Sequence, residues 1–249
     1  RPDVLIRTRS LSALPRDLLR VPLARDLLTE EFLFYYENNE GRLGLKGSLR
    51  RIAWEHDLDW GDRLLRMVLD EPAEVAVWRG GDGALKHYLI AMDRGQLARL
   101  LQELAKVALK DTQLKLAGKV GVGWDDVPVY ALEYAWQRTL LVAARGDRVV
   151  VLSDPGMLFV NEDQVAPAHE AVVARLLSGD AGKNSVYRNH FALPDDGATH
   201  SIAVGARFLS LGYQHFFPGL AALRFDFGAS GWGTHVLLHG GAQIGRAHV

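Results

Sequence analysis

The spacing of apolar side chains along this chain alternates between two periods, and each change of period predicts a change of element. "DVLIRT" (3–8) alternates loosely and predicts a first strand. "SLSALPRDLLRVPLARDLLTEEF" then places Leu14, Leu18 and Leu19, followed by Leu23, Leu27 and Leu28, at helical spacing, so two short helices punctuated by Pro15 and Pro22 are expected. Ser48 is placed to cap a helix over "LRRIAWEHDL", and Asp59 or Asp62 to start a second over "RLLRMVLDE", halted before Pro72. From 74 the period falls to two: "EVAVWRGGDGALKHYLIAM" predicts a hairpin around Gly-Gly-Asp-Gly. Asp93 and Gln96 form a capping box for a helix over about 94–109, with Leu97, Leu100, Leu101, Leu104 and Val107 on one face.

Beyond it, "LKLAGKVGVGW" and "VPVYALEYA" predict strands around a turn at Asp125-Asp126. "TLLVAAR" and "RVVVLS" predict a hairpin closed by Gly146-Asp147. A helix fits 163–177 through Val165, Ala168, Val172 and Leu176, and "SGDAGKNS" (178–185) has the composition of a linker. Residues 186–243 turn rich in glycine, histidine and aromatics, with strand-like "HSIAVGARF", "ALRFDF" and "THVLLHG". Hairpins and helices without strict βαβ alternation predict an α+β fold, a mainly antiparallel sheet with helices packed on one face, followed by an incomplete strand-rich second unit. The expected division is 1–178 for the first domain, 179–243 for the second unit and 244–249 for a non-native tail. The last part rests on "IGRAHV", which resembles the translated read-through of a sequencing adapter.

Composition narrows the function classes. With 48% hydrophobic and 24% charged residues, a sizeable core can form. A formal charge of −1 leaves no electrostatic footprint for nucleic acid. The absence of cysteine excludes disulfides, thiolate metal sites and a cysteine nucleophile. The longest apolar runs, such as "LLVAA" and "VVVL", are too short to span a bilayer, and because Arg1 is not methionine an upstream export segment is expected to be absent from this fragment.

Tested one at a time, the chemical motifs do not close. "GDAGKN" has Leu177 where a phosphate loop needs glycine and Asn184 where it needs a hydroxyl. "HEAVV" at His169 has Val173 where a zinc helix needs its second imidazole, so His169 and Glu170 read as a solvated helix face. "DLDWGD" has Val68 at the twelfth position of a calcium loop. "GASGW" lacks the last glycine of a nucleophile elbow. Six of the nine histidines, His169, His190, His200, His215, His235 and His239, fall between 169 and 239 and leave a small-ligand or metal-binding domain as an alternative reading. His235 and His239 on one strand would stand about 13 Å apart, too far to share an ion. No cofactor and no metal ligand set is assigned.

The densest polar-aromatic stretch is "FYYENNEGRLGLKGSLRRIAWEHDLDWGD", 34–62. Glu37, Glu40 and Glu55 could supply the paired carboxylates of a glycan-directed hydrolase, a chemistry needing about 5–10 Å between them. The preferred reading is that these residues shape the fold and that Tyr35, Tyr36 and Trp54 form an interaction surface, because aromatics give large contact area at little entropy cost.

The run "RPDVLIRTRSLSALPRDLLRVPLARDLLTEEFLFYYENNEGRLGLKGSLRRIAWEHDL", with "PAEVAVWRG" and "GDRVVVLSDPGML" after it, resembles the YfaA-like bacterial family (domain of unknown function 2138). The resemblance covers 1 to at least 160. It implies a longer protein with an N-terminal export or anchor segment, a periplasmic or inner-membrane-anchored location, and association with an α2-macroglobulin-like protein of the envelope. It implies no catalytic residues.

Overall fold

The computed structural model describes residues 2–22, 70–81, 83, 85–93, 114–135, 138–161, 164–178, 199–207, 219–228, 231–238 and 243–248. The strands are β1 (Val4–Thr8), β2 (Ala73–Arg79), β3 (Leu85–Asp93), β4 (Leu114–Val122), β5 (Asp125–Ala135), β6 (Arg138–Arg145), β7 (Arg148–Leu152), β8 (Phe159–Asn161), β9 (Gln164–Val165), β10 (His200–Gly205), β11 (Leu220–Gly228), β12 (Gly231–Leu238) and β13 (Gln243–His248). Two α-helices are described, α1 (Leu14–Leu18) and α2 (Pro167–Leu177). The order β13-β12-β11-β10-β1-β2-β3-β7-β6-β5-β4 makes one eleven-stranded sheet, antiparallel at every pairing, and β8 and β9 form a separate ribbon.

The hairpins follow local turn chemistry. Gly146 at φ 54° closes β6 on β7 as its Gly-Asp dipeptide predicts. The β4–β5 turn lies at Gly123-Trp124 rather than at Asp125-Asp126, because Gly123 supplies the left-handed backbone (φ 65°) and the aspartates already belong to β5. β1 lies between β2 and β10, with Val4 opposite both Val77 and Val204. The strands of 200–238 thus continue the sheet through the first strand of the chain.

Successive strand side chains point to opposite faces, so Leu5 and Ile6 separate two cores. On the Leu5 face, Ala76, Leu89, Ala91, Val129, Leu141, Val150 and Leu152 pack with Val173, Leu176 and Leu177 of α2. Burial of each such leucine contributes about 1.5–3 kcal/mol. On the Ile6 face, Leu14 and Leu18 of α1, with Val21, pack against Ile202, Phe225, Phe227 and Trp232. The sheet is the expected antiparallel one, but the two described helices cover opposite faces rather than one. Helix α2 starts at Pro167, later than 163, since β9 takes Gln164–Val165 and proline suits a first helical turn. Arg148 fastens the helix end: its Nε donates to the Leu176 carbonyl at 3.2 Å and its Nη1 to Asp93 Oδ1 at 2.7 Å. The helix expected over 94–109, the linker after 178 and all but the last two residues of the pair over 49–71 lie outside the described residues; Asp70 and Glu71 are not helical.

One contact is tight enough to predict from. A Cβ at Gly118 would stand 2.9 Å from Cε1 of Phe159. Gly118→Ala is expected to cost about 1 kcal/mol as the ring is displaced, read as a lower urea midpoint at unchanged m-value.

Candidate functional site

Two buried polar clusters sit back to back across β10 and β11. The first lies under α1. His200, fully buried, has Nδ1 2.7 Å from Thr8 Oγ1 and Nε2 3.1 Å from Asp17 Oδ2. Register explains half of this, since Thr8 and His200 are direct partners on β1 and β10. Helix α1 explains the rest by carrying Asp17 over the ring. The carboxylate can only accept, so Nε2–H donates to it, while the single Thr8 hydroxyl proton goes to the Ser10 carbonyl at 2.7 Å. Hydrogen bonding from His200, followed by that of Arg16 and its charge, holds the Asp17 carboxyl below its ordinary value against the opposing effect of burial. Phe227 packs on the imidazole with ring centroids 4.9 Å apart. Hydroxyl, imidazole and carboxylate stand in the order of a nucleophilic relay. With Thr8 at 3% exposure and His200 at 0%, no substrate atom reaches the hydroxyl, and the arrangement serves as a strut joining α1, β1 and β10.

The second cluster occupies the opposite face. Arg224, Asp226 and His235 are 2%, 6% and 5% exposed. Asp226 Oδ1 accepts from Arg224 Nε at 2.7 Å and from Ser201 Oγ at 2.6 Å. Its Oδ2 lies 2.9 Å from His235 Nε2, close as an ion pair but not aligned as a hydrogen bond. Arg7 and Glu74 extend the polar row to β1 and β2, at 3.2 Å from each other. Among the described residues, no three histidine, aspartate or glutamate side chains converge as a metal site.

The exposed surface is chemically different. Along the outermost described strand at the other end of the sheet, Leu116 is 62% exposed beside its cross-strand partner Tyr130, and Trp124 at the β4–β5 turn is fully exposed. On the side of β4 that has no partner strand among the described residues, the Gly121 N–H donates to Glu170 Oε1 of α2 at 2.9 Å. Glu170, which helical spacing alone assigns to a solvated face, thus reaches round to the sheet edge.

Of the residues singled out from the sequence, Tyr35, Tyr36 and Trp54, and likewise Glu37, Glu40 and Glu55, lie outside the described residues. So do His190, His215 and His239. His169 is exposed on α2, whereas His200 and His235 enter separate clusters on opposite faces. Arg224 and Asp226 had a sequence signal: in "ALRFDF" alternation sets them on one face against Leu223, Phe225 and Phe227 on the other. Asp17 and Thr8 had none, being 183 and 192 residues from His200.

A family model described as "Uncharacterized protein conserved in bacteria (DUF2138)" matches residues 1–248. The chain is 38% identical over 245 residues to "Uncharacterized protein YfaA" of Escherichia coli (strain K12), covering 96% of this chain and 43% of that protein. It therefore spans less than half the length of this curated relative. Among solved structures, crystal form IV of TP0453 superposes with a TM-score of 0.41 at 8% identity, over 95% of this chain and 76% of that one. No described helix is long and apolar enough to cross a membrane.

Proposed function

Because the chain belongs to the bacterial family DUF2138, we propose that it forms part of a non-enzymatic interaction module of the cell envelope, facing the periplasm and acting beside an α2-macroglobulin-like protein. The observation that carries the interaction reading is the division of chemistry between inside and outside. The described histidine–carboxylate clusters on β10–β12 are buried, while large apolar side chains, Leu116 and Trp124 foremost, stand in solvent at the edge of the sheet. Exposed apolar groups of this kind are suited to a protein partner. The envelope location and the macroglobulin partner rest on the family resemblance, and they concern a whole protein of which this chain is one part.

The test is a pull-down from envelope extracts with the uninterrupted protein as bait. Recovery of a macroglobulin-like protein is expected, together with at least a threefold loss of recovery for the Leu116→Glu/Trp124→Ala variant at unchanged thermal stability. Recovery of no envelope protein would count against the reading, and turnover of a defined glycan that is lost on Glu37→Gln, Glu40→Gln or Glu55→Gln would replace it.

A further inference from the structure

We propose that the open side of β4 is a docking edge for an extended, acidic segment of a protein partner, and that the Glu170 carboxylate occupies this edge in the free protein. The proposal deepens the interaction reading by naming the surface and the kind of partner it fits.

The backbone carries the first part of the argument. Among the described residues β4 pairs only with β5, so one side of this nine-residue strand offers its amides and carbonyls outward. Alternate residues of an antiparallel strand turn both backbone groups to the same side. The Gly121 amide reaches a side chain beyond the sheet, so Gly121 faces out, and Lys119 two residues earlier shares that orientation. Glu170 Oε1 stands where the carbonyl oxygen of an added strand would accept this N–H. A carboxylate oxygen 2.9 Å from the amide is an imitation of the missing strand's acceptor. Sheet edges left open in this way pair with extended peptides.

The side chains select the occupant. Lys115 and Lys119 are both exposed on β4, and among the described residues Lys119 pairs with the exposed Asp126 at 3.7 Å, a contact worth little in water. Leu116 and Tyr130 lie on the same face as Lys119, because their partners Tyr130 and Pro128 are two residues apart on β5. An incoming strand therefore meets a cation and an apolar pair on one face and a second cation, Lys115, on the other. A segment carrying acidic side chains with an apolar one beside them fits both. A second copy of this chain fits worse, since antiparallel pairing of β4 with itself brings lysines towards lysines.

The experiment uses the chain as it stands and a labelled peptide of strand length with alternating valine and glutamate, followed by fluorescence anisotropy; the valine–lysine peptide is the control. The acidic peptide is expected to bind and the basic one not. Glu170→Ala is expected to tighten binding about tenfold by removing the internal competitor. Lys115→Glu/Lys119→Glu is expected to weaken it at least tenfold while leaving the circular dichroism unchanged, and bound peptide should slow hydrogen exchange at the Gly121 amide. Absence of acidic-peptide binding by both the parent chain and Glu170→Ala overturns the proposal, as does binding that ignores charge reversal. Dimerisation of Glu170→Ala without peptide binding overturns it in favour of self-pairing. An envelope partner still captured by the lysine-reversed protein sinks the β4 edge alone, whereas acidic-peptide binding without any envelope partner sinks the broader reading alone.

Discussion

Asp226→Ala is expected to destabilise the protein by about 3 kcal/mol, because it removes the buried carboxylate to which Arg224 and Ser201 donate. The side chains of Arg224, Asp226 and His235 are 3%, 8% and 6% exposed, so water cannot easily replace the lost acceptor. Asp226 Oδ1 serves both Arg224 and Ser201, and Oδ2 faces His235, so one substitution breaks three contacts on β10, β11 and β12. Urea unfolding at neutral pH measures the loss. A double replacement, Arg224→Met/Asp226→Leu, is expected to be less destabilised than the sum of its single variants, since the pair then leaves together. Equal stability of Asp226→Ala and the parent would show that the cluster is wet in solution and that its burial is not structural.

Asp17→Ala is expected to cost about 2 kcal/mol, the penalty for leaving the buried His200 Nε2–H without its acceptor. The contacts of Asp17 with Arg16 and Arg20, at 3.1 and 3.4 Å, involve arginines 65% and 67% exposed and add little. Asp17→Asn keeps an acceptor oxygen and should lose less.

The same pair has a pH signature. The folded Asp17 carboxyl titrates below its ordinary value of 3.8, chiefly through the hydrogen bond from His200. As pH falls the unfolded chain therefore takes the proton first. The contribution of Asp17 is complete well above 3.8 and is lost as pH drops through the lower, folded value. Urea midpoints measured from about pH 6 down to pH 2 should fall more steeply for the parent than for Asp17→Asn, which has nothing to titrate at this position. Parallel curves would remove Asp17 from the acid response.

The two clusters differ in how visible they were. Arg224 and Asp226 are two apart in a strand whose intervening position is aromatic, so their sharing of one face was readable from "ALRFDF", but their burial was not. The Thr8–His200–Asp17 strut was not, since a histidine among nine carries no mark of the threonine and aspartate that meet it from the far end of the chain. Glu170 shows the same limit across 49 residues: its helical position assigns it to solvent, and only the nearness of the β4 edge turns it into an acceptor for Gly121. Tyr35, Tyr36 and Trp54, expected from the sequence to form an interaction surface, lie outside the described residues.

Local chemistry in the sequence was sufficient for most of the longer strands and for the β6–β7 turn, but not for β8, β9, β13 or the place of the β4–β5 turn. Alternation needs only neighbours, and a glycine able to take positive φ at 146 closes its hairpin whatever lies elsewhere. The order of the strands belongs to the tertiary structure. That β3 pairs with β7, and that β1 separates β2 from β10, depends on which apolar faces can be buried together across long connections. A two-residue period says that a strand has a face to hide; many antiparallel neighbours could hide it equally well, and only the assembled cores on both sides of the sheet choose among them.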